Sequence, residues 1–129
     1  MSIWTHVVGN IRVDGLPRLD RKRFSIAKIK KILGPISTYE IVRKTTLPCG
    51  SEGSLQYQII EYGKGMSWIA IAIWGDLRDF DDIEEIKDWL KNIFPKLGMI
   101  RDAAIKIQVE GIDEVILTDS DIYDLIEKE

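Results

Sequence analysis

Apolar and polar residues alternate along much of this chain, and the alternation predicts a β-sheet. Apolar or small residues occupy every second position from Ile3 to Val13, which is the period of a strand with one buried face. Glycine and proline bound most of the segments that show this pattern. Further strands are predicted at Tyr39–Thr46, Leu55–Tyr62, Ser67–Trp74 and Ala103–Glu110, with a short one at Val115–Leu117.

Two segments have the period of an amphipathic helix instead. In the first, Ser25 is the predicted N-cap and Gly34 stands just past the last apolar residue, where helices commonly end. In the second, Asp81 and Glu84 match a D-x-x-E capping box, and Gly98 follows the last apolar residue. The spacing of isoleucine and leucine between these ends predicts helices that each bury one side.

The predicted elements follow the order β–α–β–β–β–α–β, and the last residues, 119–129, are expected to form a weak acidic helical turn. This is an α+β pattern: an antiparallel or mixed sheet with two amphipathic helices on one face. The order approximates the β-α-β-β-α-β arrangement of ferredoxin-like folds, with one additional strand between the helices. Nothing in the sequence marks a boundary, so residues 1–129 are expected to form one domain with an acidic tail from about 112 to 129.

The fourth predicted strand, Ser67–Trp74, is apolar on both sides. One side consists of isoleucines, and the other consists of Trp68, Ala70, Ala72 and Trp74. A strand of this kind is typical of a sheet interior and is covered on both faces, so we do not expect it at an edge. Gly75 is expected to end it.

Two helices on one face leave the other face of the sheet open, and an open face that carries tryptophan needs a cover. The sequence allows four covers: Trp4, the C-terminal tail, a second copy of the chain, or a ligand. We favour a second copy, because self-association across a sheet face buries such a patch. The chain is therefore expected to be a homo-oligomer that associates through Trp4, Trp68, Ala70, Ala72 and Trp74.

The composition is that of an ordinary globular domain, with 45% hydrophobic and 30% charged residues. The single cysteine, Cys49, cannot form an internal disulfide, and the first residues do not resemble a signal peptide. The longest apolar run, Trp68–Trp74, is too short to span a bilayer. These features predict a cytoplasmic protein that does not contact a membrane.

The net charge of −3 is unevenly distributed. Residues 1–48 carry ten Lys and Arg against three Asp and Glu, whereas residues 110–129 carry one against eight. This asymmetry indicates either a basic contact surface with an acidic tail or two chain ends that neutralise each other in the fold. The basic segment from Arg18 to Lys31 contains one aromatic residue, Phe24, so we expect a solvated helix face there rather than a nucleic-acid site.

The loop between the second and third predicted strands is the best candidate for a binding site. Its glycines would let backbone N–H groups point outward, and its serines add hydroxyl donors, a combination that suits phosphate or carboxylate oxygens. It lacks the spacing of a P-loop, and a flexible hairpin loop without a ligand is the alternative interpretation. The candidate ligand-binding residues are Cys49, Gly50, Ser51, Gly53 and Ser54, with Arg21 and Arg23 as a source of positive charge.

Little else in the sequence suggests chemistry. His6 and Cys49 could form a thiol–imidazole pair, but nothing in the sequence places them together, and His6 is expected to be a half-exposed strand residue. Four aspartates between Asp76 and Asp82 precede a helix, where acidic residues favour the helix dipole, so capping explains them better than a metal. We therefore expect no catalytic residue, no metal and no cofactor.

Three stretches resemble segments of small uncharacterised proteins of bacteriophages and prophages. They are Ser2–Val7, Leu47–Leu55 and Gly75–Asp79. The resemblance carries no established activity, and what it implies is context: small phage proteins without enzyme motifs often antagonise host defence. From this context we expect a non-enzymatic binder in the host cytoplasm that sequesters an anionic nucleotide signal.

Two other functions stay open. One is a protein–protein inhibitor, of the anti-CRISPR or toxin-immunity type, that binds a host defence protein through an acidic and aromatic surface. The other is a structural or regulatory homo-oligomer that binds no ligand.

Overall fold

A computed structural model describes residues 2–14, 26–36, 47–61, 68–80 and 82–128 of the chain. The elements are, in order, β1 (Trp4–Asp14), α1 (Ile26–Leu33), β2 (Gln56–Glu61), β3 (Trp68–Arg78), α2 (Ile83–Ile93), β4 (Ile100–Val109), β5 (Asp113–Thr118) and α3 (Asp119–Glu127). A short 3-10 helix, Phe94–Leu97, follows α2 directly. The mixed α+β class expected from the sequence is confirmed.

The five strands form one antiparallel sheet in the order β2-β3-β1-β4-β5. β1 is the central strand, and it pairs with β3 along its whole length, from Trp4 opposite Arg78 to Asp14 opposite Trp68. On its other side β1 pairs with β4, with an irregularity after Arg12. Every neighbouring pair is antiparallel, and the described residues contain two strands, β2 and β3, between α1 and α2, with β5 and α3 following β4.

All of the helices pack on one face of this sheet. Side chains at odd positions of β1, such as Val7 and Ile11, are buried together with Ile29 of α1, Leu90 of α2 and Ile122 of α3. This matches the period of two in the strands and the apolar stripe of each helix. No helix within the described ranges is long and apolar enough to cross a membrane.

Two local expectations were wrong. β3 does not end at Gly75 but continues to Arg78, because its backbone stays paired with β1 and also bonds to the preceding loop: the Arg78 N–H donates to the Glu52 carbonyl at 3.0 Å. The N-cap of α2 is Asp82, whose side chain accepts the Glu84 N–H at 3.0 Å. The predicted strand Tyr39–Thr46 and the predicted caps Ser25 and Asp81 lie outside the described residues.

The acidic C-terminal segment folds into two regular elements. β5 extends the predicted short strand, and α3 replaces the expected weak helical turn. A capping box holds their junction: the Thr118 side chain accepts the Asp121 N–H, while the Asp121 carboxylate accepts the Thr118 N–H at 2.8 Å. The Asp121 carboxylate also accepts the Thr118 hydroxyl at 3.0 Å, and the two hydrogen bonds that it accepts, from the N–H first and then from the hydroxyl, hold the pKa of Asp121 below its usual value.

Replacing Thr118 with alanine is expected to remove the cap of α3 and lower the free energy of unfolding by about 1 kcal/mol. Urea unfolding followed by circular dichroism measures the change. Ser120→Ala is the control, because Ser120 is exposed in the first turn of the same helix. Equal effects of the two substitutions would contradict the role assigned to the cap.

Candidate functional site

The face of the sheet opposite the helices is a surface that the described helices leave uncovered. Even-numbered residues of β1 and their cross-strand neighbours project from it. We call this surface the open face. Its residues include Trp4, His6, Val8, Asn10 and Arg12 of β1; Gln56, Gln58 and Ile60 of β2; Trp68, Ala70, Ala72, Trp74, Asp76 and Arg78 of β3; Asp102, Ala104, Lys106 and Gln108 of β4; and Glu114, Ile116 and Thr118 of β5.

A row of three apolar side chains and one lysine crosses the open face from β3 to β5, and we call it the apolar row. Trp74 stands opposite Val8, Val8 stands opposite Lys106, and Lys106 stands opposite Ile116. The exposed fractions of the three apolar residues are 43% for Trp74, 58% for Val8 and 60% for Ile116. Large apolar side chains that are exposed side by side mark a binding surface more often than scattered ones do.

The neighbouring row of the open face is built from short side chains. It runs through Gln58, Ala72, Asn10, Ala104 and Thr118 on successive strands. Because the side chains of this row other than Gln58 are shorter than tryptophan and isoleucine, they form a shallow floor beside the apolar row. Together the two rows give a partner both an aromatic anchor and a flat surface to lie against.

The single histidine is held between two carboxylates at one end of the open face. The His6 Nδ1 lies 2.6 Å from the Asp76 carboxylate, and the Nε2 lies 2.7 Å from the Glu110 carboxylate. A carboxylate only accepts hydrogen bonds, so both ring nitrogens must carry hydrogen for both bonds to form, as they do in the imidazolium. The hydrogen bond to Asp76, and then the one to Glu110, raise the pKa of His6 above its usual 6.5.

An aromatic and cationic cluster occupies the opposite end of the open face. The guanidinium groups of Arg12 and Arg101 lie 5.2 and 5.5 Å from the centre of the Trp68 ring. The Arg12 Nε also donates to the Asp102 carboxylate at 2.7 Å, and a second bond joins the same two groups. Trp68 is thus engaged by residues of its own chain, and the hydrogen bonds from Arg12 lower the pKa of Asp102.

The charged side chains around the apolar row are paired within the chain. Lys106 lies 2.9 Å from the Glu114 carboxylate, and Arg78 donates to Glu52 at 2.7 Å. Arg12 with Asp102, and His6 with its two carboxylates, are further ion pairs. Positive and negative groups therefore alternate around the apolar row. Such a surface can be buried against a partner without leaving these charges unpaired, which lowers the cost of desolvation.

The predicted binding loop lies along the end of β3. Cys49 and Ser54 face each other in a single antiparallel bridge, and the Gly50 N–H donates to the Gly53 carbonyl at 3.0 Å. The Ser51 N–H donates to the Arg78 carbonyl at 2.9 Å, while the Ser51 hydroxyl donates to the Asp79 carboxylate at 2.7 Å. These donors therefore satisfy the chain's own oxygens, which reduces the number available to an external anion.

The structure brings some of the predicted site residues together and separates others. The five loop residues form one unit, and four predicted contact residues of β3 share the open face with Trp4. Arg21 and Arg23 lie outside the described residues. Two of the expected covers do not reach Trp74. Trp4 is opposite Arg78, four residues along β1 from Val8, and the C-terminal helix packs on the other side of the sheet. Trp74 therefore stays exposed within the described chain.

The contacts of His6 were missed by the sequence reasoning. Its partners are 70 and 104 residues away along the chain, and only the antiparallel register of β1 with β3 and β4 makes them neighbours. The one available signal was that His6 lies on the outer side of an alternating strand, where cross-strand partners are exposed side chains. Within the described ranges, no group of three histidine, cysteine or acidic side chains is arranged to hold a metal ion.

The pKa of His6 can be measured directly, because it is the only histidine in the chain. We expect its proton NMR signal to titrate above 6.5, and Asp76→Asn to lower this pKa more than Glu110→Gln does. A histidine whose pKa is higher in the folded than in the unfolded state stabilises the fold at a pH below its unfolded pKa of about 6.5. This stabilisation is lost as the pH rises through the pKa of the folded state. The unfolding free energy of the wild type, relative to His6→Gln, should therefore be highest below pH 6.5 and fall as the pH rises through the folded pKa of His6. A His6 signal that titrates at or below 6.5 would show that the two carboxylates do not hold the ring.

The packing of the loop against β3 is testable at Gly53. Its φ is 76°, and a Cβ built there would lie 2.0 Å from the Asp76 carbonyl oxygen. Gly111 is the matched control, because its φ is 71° but nothing lies within 4 Å of a Cβ there. We expect Gly111→Ala to cost roughly 1–2 kcal/mol of unfolding free energy for the backbone conformation alone. Gly53→Ala should cost about 1–3 kcal/mol more in urea unfolding, because of the overlap. Equal costs would mean that the loop does not pack as described.

Comparison of the chain with family models, with curated proteins and with solved structures gave no match. A proposal about its function therefore depends on the open face, the His6 contacts and the loop.

Proposed function

We propose that this chain is a non-enzymatic binding protein that contacts another protein through its open face. The observation that carries the proposal is the exposed row of Trp74, Val8 and Ile116, set in a surface whose charged groups are already paired. An aromatic anchor next to flat, short side chains and a rim of polar groups is the arrangement common to protein–protein interfaces.

A protein partner fits the charge of this face better than a nucleotide does. The face carries four acidic groups, on Asp76, Asp102, Glu110 and Glu114, and these offset most of the positive charge of Arg12, Arg78, Arg101, Lys106 and His6, so no strong positive field would attract phosphate. The expected nucleotide site in the Cys49–Ser54 loop has less support, because backbone donors of the loop bond to β3 and to the loop itself. Sequestration of a nucleotide signal is therefore the weaker of the two versions.

The proposal includes a biological context. We propose a phage-type protein that acts in the host cytoplasm by covering a defence protein or a toxin, as anti-CRISPR and immunity proteins do. It needs no catalysis, in line with the geometry at His6, where both ring nitrogens face carboxylates rather than a nucleophile. A second copy of the chain is the first protein partner to test, because a self-complementary sheet face allows isologous pairing.

The test is a double variant, Val8→Thr with Trp74→Thr, which removes the apolar row but keeps β-branched residues suited to a strand. Size-exclusion chromatography with light scattering should show a dimer for the wild type and a monomer for the variant. Loss of the aromatic anchor should weaken association roughly tenfold or more. Met99→Thr is the control, because Met99 is 52% exposed in the loop before β4 and does not belong to the row of Trp74, Val8 and Ile116.

If the wild type is monomeric, affinity capture from host lysate tests whether the open face binds a different protein. A stoichiometric partner that the wild type and Met99→Thr retain, and that the double variant loses, supports the proposal. If the wild type is monomeric and the double variant captures the same proteins as the wild type, the open face is not a binding surface.

A further inference from the structure

A second surface, separate from the open face, lies at the edge of the sheet formed by β5. Among the residues that the structure describes, β5 pairs only with β4, from Ala104 opposite Thr118 to Val109 opposite Asp113. The outer side of an edge strand presents backbone N–H and C=O groups that can pair with another extended segment. This edge is six residues long, which is a normal length for a strand.

A groove runs beside this edge on the helix side of the sheet. Its volume is about 300 Å³, at the lower end of the range for binding sites. β5 contributes Val115, Ile116 and Leu117 to its lining, α3 contributes Asp121, Asp124 and Leu125, and Lys87 of α2 and Lys128 just after α3 complete it. Half of these residues are apolar, and the other half are two lysines and two aspartates.

A strand edge next to a helix-walled groove is the geometry that accepts an additional strand. A strand added to β5 would lie about 4.8 Å from it, and alternate side chains of that strand would point to the same side as Val115 and Leu117. Those side chains would enter the groove, where half-buried Val115 and Leu125 provide apolar contacts. Main-chain hydrogen bonds would supply affinity, and the groove would select the side chains.

Charge decides which segments would fit. Between Asp113 and Lys128, β5 and α3 carry six acidic residues and one lysine. Asp121 and Asp124 are exposed members of this set that line the groove, together with Lys128 and with Lys87, which lies 3.2 Å from the Glu84 carboxylate. A strongly acidic edge favours basic segments, and it also opposes pairing with the same edge of a second copy, because like charges would meet.

We propose that the β5 edge and the adjacent groove bind an extended peptide in which basic residues alternate with small apolar ones. This inference is independent of the proposed function of the open face. A bound peptide would become a sixth strand of the sheet beside β5. Its basic side chains would point to the helix side, with their methylene groups against Val115 and Leu125 and their ammonium groups near Asp113, Asp121 and Asp124. Its apolar side chains would point to the open face, beside Ile116.

The probe is a fluorescein-labelled peptide of sequence KVKVKVK, titrated with the full chain and followed by fluorescence anisotropy. Two control peptides keep its length: EVEVEVE reverses the charge, and KPKVKPK removes backbone N–H donors. We expect saturable binding of KVKVKVK alone. Hydrogen exchange measured by NMR should slow at the β5 amides that point away from β4.

Two charge-reversal variants test whether the peptide binds beside the groove: one is expected to weaken binding, and the other is expected to leave it unchanged. Asp124→Lys reverses a charge in the groove and should weaken KVKVKVK binding roughly threefold to tenfold. Glu85→Lys makes the same change at an exposed position of α2 that does not line the groove, and it should leave binding unchanged apart from a small long-range effect. Circular dichroism checks that both variants keep the wild-type secondary structure.

Several results would overturn the proposal. These are absence of KVKVKVK binding, equal binding of all three peptides, equal effects of the two variants, or protection of amides elsewhere than β5. A dimer that Asp124→Lys changes while Val8→Thr with Trp74→Thr does not would show that the edge binds a second copy instead. The double variant should bind KVKVKVK as the wild type does, so failure at the open face and failure at the edge give different results.

Discussion

The pairing of β1 with β3 on one side and with β4 on the other determines the rest of this structure. These two ladders fix which side of each strand faces the helices, because side chains alternate with a period of two and a shift by one residue would reverse every one of them. With Val7, Ile11 and Val13 turned toward the helices, Trp74 and Val8 must project from the other side. The open face is thus a direct consequence of the register that builds the core.

The same register creates the polar contacts of the open face. His6 meets Asp76, directly opposite it on β3, and Glu110, two residues past its β4 partner Gln108, because both carboxylates lie on the same side of the sheet as His6. Arg12 meets Asp102 in the same way, six residues further along β1. Each end of the central strand therefore carries a cross-strand ionic contact, and the exposed apolar row lies between them. The contacts favour this register over its alternatives, since a slipped strand would separate both sets of charges.

Local patterns in the sequence were sufficient to predict the elements but not the site. The alternation in Ile3–Val13 and the helical spacing after Asp82 depend on neighbours in sequence, so both elements could be recognised without a structure. Trp68 and Trp74 could be assigned to one side of an interior strand for the same reason. The His6 contacts, the Arg12–Trp68 contact and the groove beside β5 could not be predicted, because each joins residues that only the strand order brings together. The loop at Cys49–Ser54 was correctly located, but the acceptors of its N–H groups could not be predicted, because they depend on the extension of β3 to Arg78.

The open face and the β5 edge are different surfaces, but they meet at one residue. Ile116 ends the apolar row that begins at Trp74, and it also belongs to the strand whose outer side is the edge. A segment added to β5 would place its outward side chains beside Ile116, as the next position of the same row. Occupation of the edge would then lengthen the apolar row by one strand and increase the area that the open face offers to a partner. Binding at the two surfaces would be coupled through this added strand, and the coupling would require no change in the conformation of the sheet, since the extra area comes from the added segment itself.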